Sequence, residues 1–142
     1  MLLTVQRITR YLFGSEGGLV TFQDMYKILV IDEDREIGNL LQYALGSQGY
    51  EIVLCADPQE AFLLLSQEKF DYIITEYRFP GMNGLEFVRQ LRQQLPPLTV
   101  IIGVSTQDLG REFLEGGAND FLRKPFIPYT IAMMIDGSDL PS

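Results

Sequence analysis

The sequence predicts an α/β fold, a doubly wound five-stranded parallel sheet with helices on both faces. Three observations predict it. From Tyr26 onward, short apolar β-branched runs alternate with amphipathic stretches. Five strand-then-helix units follow in succession, the pattern of a parallel sheet. The first, third and fourth runs are nearly continuous in apolar residues, as strands buried on both faces require. Right-handed crossovers then limit the topology to a few doubly wound forms.

The strand candidates are Lys27–Ile31, Glu51–Cys55, Tyr72–Thr75, Thr99–Val104 and Asp120–Leu122. Ile37, Leu40, Leu41, Ala44 and Leu45 form a one-sided helical stripe, which Gly49 stops. Asp57-Pro58 opens the second helix, with Pro58 suited to the first helical position and Ala61, Leu64 and Leu65 facing inward. Leu85, Val88, Leu91 and Leu95 mark the third, ended by Pro96-Pro97. A short fourth covers about 108–115, and Pro128 opens a fifth with Ile131, Met134 and Ile135 inward.

Residues 1–24 differ from the rest. Leu2, Val5, Ile8 and Leu12 recur at near-helical spacing, and Gly14-Ser15-Glu16-Gly17-Gly18 reads as a flexible break. The segment is expected to be helical or flexible. Three readings stay open for it: an appendage ahead of a domain that starts at Met25, a helix packed on the domain or on a second copy, or a membrane-surface helix.

Composition narrows the function classes. The net charge is −8, which argues against a nucleic-acid partner, since a phosphate backbone wants a basic face. A single cysteine, Cys55, forms no internal disulfide and fits a reducing cytosol as a small buried residue. No histidine is present for catalysis, metal binding or phosphotransfer. No apolar run approaches the roughly 20 residues that span a bilayer, and no signal peptide is apparent. The expectation is a cytoplasmic domain with no membrane partner.

In an open parallel sheet, ligands gather beyond the carboxyl ends of the strands. There the sequence places Asp32-Glu33-Asp34, then Thr75-Glu76, then Val104-Ser105-Thr106, then Arg123-Lys124-Pro125. Several carboxylates suit a hard cation such as Mg²⁺. A lysine and a hydroxyl suit phosphoryl oxygens.

These strings resemble the receiver domains of bacterial two-component response regulators. Ile28-Leu29-Val30-Ile31-Asp32-Glu33-Asp34 resembles the first strand and its acidic pair. The stretch Asp71 to Gly84 resembles the third strand, the acceptor loop and the Pro-Gly-Met-Asp-Gly turn, with Asn83 in place of Asp. Gly117 to Phe126 resembles the approach to the family's lysine. The resemblance covers residues 26–135. It implies the flavodoxin-like strand order 2-1-3-4-5, a receiver over 25–136 and a tail over 137–142. It also implies Mg²⁺-dependent phosphoryl transfer to an aspartate. By position, Asp32, Glu33, Glu76 and the backbone carbonyl of Arg78 would hold the metal. Lys124 would contact the phosphoryl group, Phe121 would be the aromatic switch, and the bond before Pro125 would be cis. Ser105 is the first choice for the switch hydroxyl and Thr106 the second.

Two departures stand out. The phosphoacceptor position holds Glu76, whose carboxylate reaches about 1.5 Å further than an aspartate's. The stretch from the fourth strand to Lys124 is short by two or three residues against the family, so the fourth helix and the output face it helps form should be altered. The leading expectation is a stand-alone, degenerate receiver that is not an enzyme. It would bind a histidine kinase, a phosphotransfer protein or an effector, with a second copy as a further candidate. A working Mg²⁺-dependent phosphoreceiver is the alternative. A haloacid-dehalogenase-like phosphatase using Asp32 is remote, because Arg35-Glu36 replaces the usual Thr or Val. Tyr77 and Phe79, beside Glu76, read either as an exposed recognition patch or as loop packing.

Overall fold

The computed structural model describes residues 9–12, 26–45 and 49–136. Its strands are β1 (Thr9–Leu12), β2 (Tyr26–Ile31), β3 (Tyr50–Cys55), β4 (Tyr72–Thr75), β5 (Val100–Ser105) and β6 (Asp120–Arg123). Its helices are α1 (Glu36–Leu45), α2 (Pro58–Gln67), α3 (Gly84–Gln94), α4 (Gly110–Glu115) and α5 (Pro128–Asp136).

Strands β2 to β6 are parallel and lie in the order β3-β2-β4-β5-β6. Counted from β2, this is the predicted order 2-1-3-4-5. The sheet has a sixth member. Strand β1 pairs antiparallel with β3, from Thr9 opposite Leu54 to Leu12 opposite Glu51. The helical reading of the N-terminal stripe therefore fails at residues 9–12. Apolar spacing over so short a segment does not separate the two periods, and an open sheet edge offers backbone partners to whatever strand reaches it. Leu2, Val5 and Ile8 lie outside the described residues, as do 13–25 and the predicted tail.

The apolar runs bury both sheet faces. Leu29, Ile31, Val53, Ile73 and Ile101 face one core layer with α2, α3 and α4. Ile28, Val30, Ile52, Ile74, Ile102 and Val104 face the other, with α1 and α5. Helix starts follow side-chain chemistry. The Asp57 carboxylate caps α2 by accepting the Glu60 N–H at 2.9 Å, and the Glu60 carboxylate reaches back past the cap to accept the Ala56 N–H at 3.0 Å. Asn83 caps α3 by accepting the Glu86 N–H at 3.1 Å. At the far end of α3, Arg92 donates to the carbonyls of Gly117 (2.9 Å) and Thr99 (2.8 Å) and to the Asn119 side chain (2.7 Å). That guanidinium ties the loop before β6 to the loop before β5.

In the region expected to be short, α4 has 6 residues and no side-chain N-cap. It is held instead by Phe113, fully buried over Gly103 of β5. Any Cβ at position 103 would collide with the Phe113 ring. Gly103→Ala is therefore expected to lose about 2 kcal/mol through overpacking. Urea unfolding checks this, and an unchanged midpoint would show that α4 can shift without cost.

Candidate functional site

Strand ends deliver the site residues to one rim. Asp32 follows β2, Glu76 follows β4, Ser105 ends β5 and Lys124 follows β6. The rim is stitched by backbone bonds: the Glu76 N–H donates to the Ile31 carbonyl at 3.0 Å, and the Lys124 N–H to the Ser105 carbonyl at 2.7 Å. The Lys124–Pro125 bond is cis, as the resemblance implied.

Three of the predicted side chains converge. The Lys124 ammonium lies 2.6 Å from Asp32 Oδ2 and 3.5 Å from Glu76 Oε2. The remaining carboxylate oxygens have partners too. Asp32 Oδ1 accepts the Asp34 N–H at 3.0 Å, and Glu76 Oε1 accepts the Tyr77 N–H at 2.8 Å. The extra methylene of Glu76 thus carries its carboxylate out to a backbone amide and the lysine together.

The other predicted residues lie around this triad. Ser105 is buried, and its hydroxyl accepts the Gln107 N–H at 3.2 Å. Thr106 is exposed, in a groove beside α1 with Ile37, Leu40 and Phe126. The Arg78 guanidinium bonds the Gln107 side chain. Glu33 is exposed and lines a separate groove with Asp57 and Met82. Phe121 is half-buried and stacks on Phe113 at 5.4 Å. The ring of Tyr77 meets Phe113 edge-on at 5.2 Å, and that of Phe79 meets Phe87 edge-on at 5.5 Å. Loop packing is therefore what Tyr77 and Phe79 do.

The Tyr77 amide and the Tyr77–Phe113–Phe121 chain of rings were not foreseen. A backbone donor leaves no residue-type signal. The rings lie on three different elements, so only the fold unites them.

The resemblance implied a magnesium shell at this rim. Magnesium wants near-octahedral oxygen ligands. Among the described residues, no three acidic, cysteine or histidine side chains are grouped to hold a metal ion. Glu33 stands apart in the side groove, and an ammonium already bridges Asp32 and Glu76. The residues in this arrangement do not fit a preformed magnesium site.

Burial pushes Asp32 above the ordinary carboxylate value of 3.8, although the Lys124 and Asp34 hydrogen bonds pull the other way. For Lys124, burial alone would lower the value, but Asp32, Glu76 and Asp34 together raise it above 10.5. Both folded values are raised, so both groups bind protons more tightly when folded. The lysine's stabilising contribution is complete below about pH 10.5 and lost as pH rises through its folded value. Asp32 contributes favourably below about pH 3.8, and that contribution disappears as pH rises through its folded value. At neutral pH the buried Asp32 charge thus costs stability, and the ammonium limits the cost.

An α/β domain with two acids and a lysine at the carboxyl rim of its parallel sheet is the class that fold and site together define. The chain belongs to the response regulator receiver domain family, whose description matches residues 28–136. It is 36% identical over 107 residues to the alkaline phosphatase synthesis transcriptional regulatory protein PhoP of Bacillus subtilis, covering 72% of this chain and 43% of that protein. It is 32% identical over 102 residues to response regulator MprA of Mycolicibacterium vanbaalenii, covering 70% and 44%. The chain thus spans under half the length of these curated relatives. Among solved structures, the chemotaxis response regulator CheY4 of Vibrio cholerae is similar with a TM-score of 0.68 at 31% identity, covering 80% of this chain and 98% of that one. A response regulator from Thermotoga maritima gives 0.71 at 26%, covering 80% and 96%.

Replacing Lys124 by Ala leaves Asp32 and Glu76 facing each other without a cation. The partly exposed triad should lose about 2 kcal/mol near neutral pH, below the usual cost of breaking a fully buried pair. Much of that loss should return at acid pH, as Asp32, whose value burial raises above 3.8, takes up a proton. Urea unfolding at the two pH values measures it, and an equal deficit at both would rule out the electrostatic cause.

Proposed function

We propose that this receiver of two-component signalling acts by binding protein partners without being phosphorylated. The observation that carries the reading is the Lys124 clamp, 2.6 Å from Asp32 and 3.5 Å from Glu76. A phosphoryl group entering there would need the space that the longer Glu76 side chain fills. It would also need the lysine, which is committed to two carboxylates. Catalytic geometry tolerates displacements of only about 0.5 Å, and one methylene moves a carboxylate by about 1.5 Å.

Receivers of this family generally use Mg²⁺ for phosphorylation. Here Lys124 supplies the positive charge between the acids, so signalling does not depend on the metal. Ser105, Phe121 and Lys124 keep their inherited places, with Ser105 rather than Thr106 as the hydroxyl at the strand end. The domain is not an enzyme in this reading, and Asp32 is a clamped ligand rather than a nucleophile. The groove of about 270 Å³ between α1 and the Lys124–Phe126 loop offers Leu40 and Phe126 to a kinase, phosphotransfer protein or effector. No described helix is long and apolar enough to cross a membrane, and a cytoplasmic setting suits the family.

Acetyl phosphate with millimolar MgCl₂, followed by intact mass measurement, tests the reading. The expected result is no phosphoryl adduct on this chain and one adduct on Glu76→Asp, which withdraws the carboxylate from the pocket. A phosphoryl adduct on the unaltered chain that vanishes in Glu76→Ala would overturn the reading.

A further inference from the structure

Two contacts hold the Glu76 carboxylate, and they differ in strength. The Lys124 ammonium lies 3.5 Å from Oε2, whereas Oε1 accepts the Tyr77 N–H at 2.8 Å. An ion pair of that length on a partly exposed rim holds a side chain weakly, because water screens it and a long, rotatable chain resists being ordered. A short, charge-assisted hydrogen bond from a backbone donor is the firmer anchor. The Tyr77 amide, more than the lysine, therefore decides where Glu76 ends.

The direction of that amide is fixed from both sides. On one side, the Tyr77 N–H and the Glu76 carbonyl share one planar peptide unit. The buried Thr75 hydroxyl donates to that carbonyl at 2.9 Å, and the Glu76 N–H donates to the Ile31 carbonyl at 3.0 Å. On the other side, the chain is held by the Tyr77 ring.

The ring occupies a seat with two walls. One is Gly84, the buried first residue of α3, where any Cβ would collide with both the Tyr77 ring and the Tyr77 carbonyl oxygen. The other is Phe113 of α4, which meets the ring edge-on at 5.2 Å. Both walls are anchored. The Asn83 side chain caps α3 one residue before Gly84 by accepting the Glu86 N–H at 3.1 Å. Phe113 is fully buried over Gly103, and Gly103 is the sheet neighbour of Thr75. Two glycines thus make room for two rings, and the first ring belongs to the residue whose amide holds Glu76.

We propose that Tyr77 is a positioning residue for the Glu76 carboxylate: its ring, seated between Gly84 and Phe113, fixes the amide that turns Glu76 toward Lys124. Without the seat, Glu76 is a long side chain on an open rim and spreads over several staggered rotamers. The proposal rests on the reading in which Glu76 fills the acceptor space, and it names what holds Glu76 there. Adduct formation with acetyl phosphate decides that reading. The side-chain conformation of Glu76 decides this one, so the two failures are distinguishable.

NMR of the full chain tests it, through the residue-77 amide proton and the two γ-methylene protons of Glu76. In the unaltered chain the amide proton should lie well downfield of its random-coil position, as a donor to a carboxylate. The γ protons should be well separated, as in a single rotamer. Tyr77→Phe keeps the ring and should preserve both signatures. Tyr77→Ala should lose the downfield shift and merge the γ protons, while the β4 and β5 signals stay native. Gly84→Ala fills the seat and leaves Tyr77 in place, with a residue suited to a helix. It should produce the same two losses, and where either variant fails to fold the other decides. A ring that only fills space would leave the Glu76 signals unmoved. Separated γ protons in a folded Tyr77→Ala or Gly84→Ala chain would overturn the proposal. So would their merging in Tyr77→Phe or in the unaltered chain.

Discussion

One ammonium group shared by two carboxylates governs this rim. Lys124, Asp32 and Glu76 reach it from the ends of three different strands, and none of them makes a site alone. The pairing answers two demands together. It neutralises a buried Asp32 whose charge burial disfavours, and it gives the lengthened Glu76 side chain a place to end. With the Tyr77 and Asp34 amides taking the other oxygens, each carboxylate oxygen has a donor within reach. Such satisfaction is what lets acidic groups sit this close to a core.

In the proposed reading, the same clamp separates this domain from a receiver poised for chemistry. Phosphoryl transfer needs a free acceptor oxygen and a cation able to adjust to incoming charge. Here the residue at the expected acceptor position carries one methylene more than an aspartate, and Lys124 already contacts both acids. The rim has grooves on both sides of the clamp. One lies against α1 and the other against α2, and both have apolar surfaces next to charged groups. In the proposed reading, that surface serves protein recognition.

Much of this was legible in the residues. The alternation of apolar runs and amphipathic stretches located five parallel strands and five helices, because burial on two faces and on one face leave different patterns. Tyr72–Thr75 matched its predicted bounds, and the others differed at their ends by a residue or so, apart from the fourth helix. Asp32, Glu76 and Lys124 could be foreseen at one rim, since each follows an apolar strand. Glu33 could not be foreseen in its own groove. Being adjacent to Asp32 fixes its chain position but not its direction, and neighbouring residues in a turn diverge. Strand β1 was missed because four residues carry too little periodicity to reveal a partner on β3. The stack of Phe113 over Gly103, with Tyr77 and Phe121 against it, depended on a close approach that only the sheet's register creates.

The claim beneath all of this is that the lysine ammonium stays fixed between its two acids even when a competing cation is available. Detecting the side-chain ammonium signal of Lys124 by nitrogen-correlated NMR, with and without millimolar magnesium, addresses it directly. A slowly exchanging Lys124 signal that is unmoved by magnesium is the expected result. A signal that is averaged like that of a free surface lysine, or that collapses when magnesium is added, would contradict it.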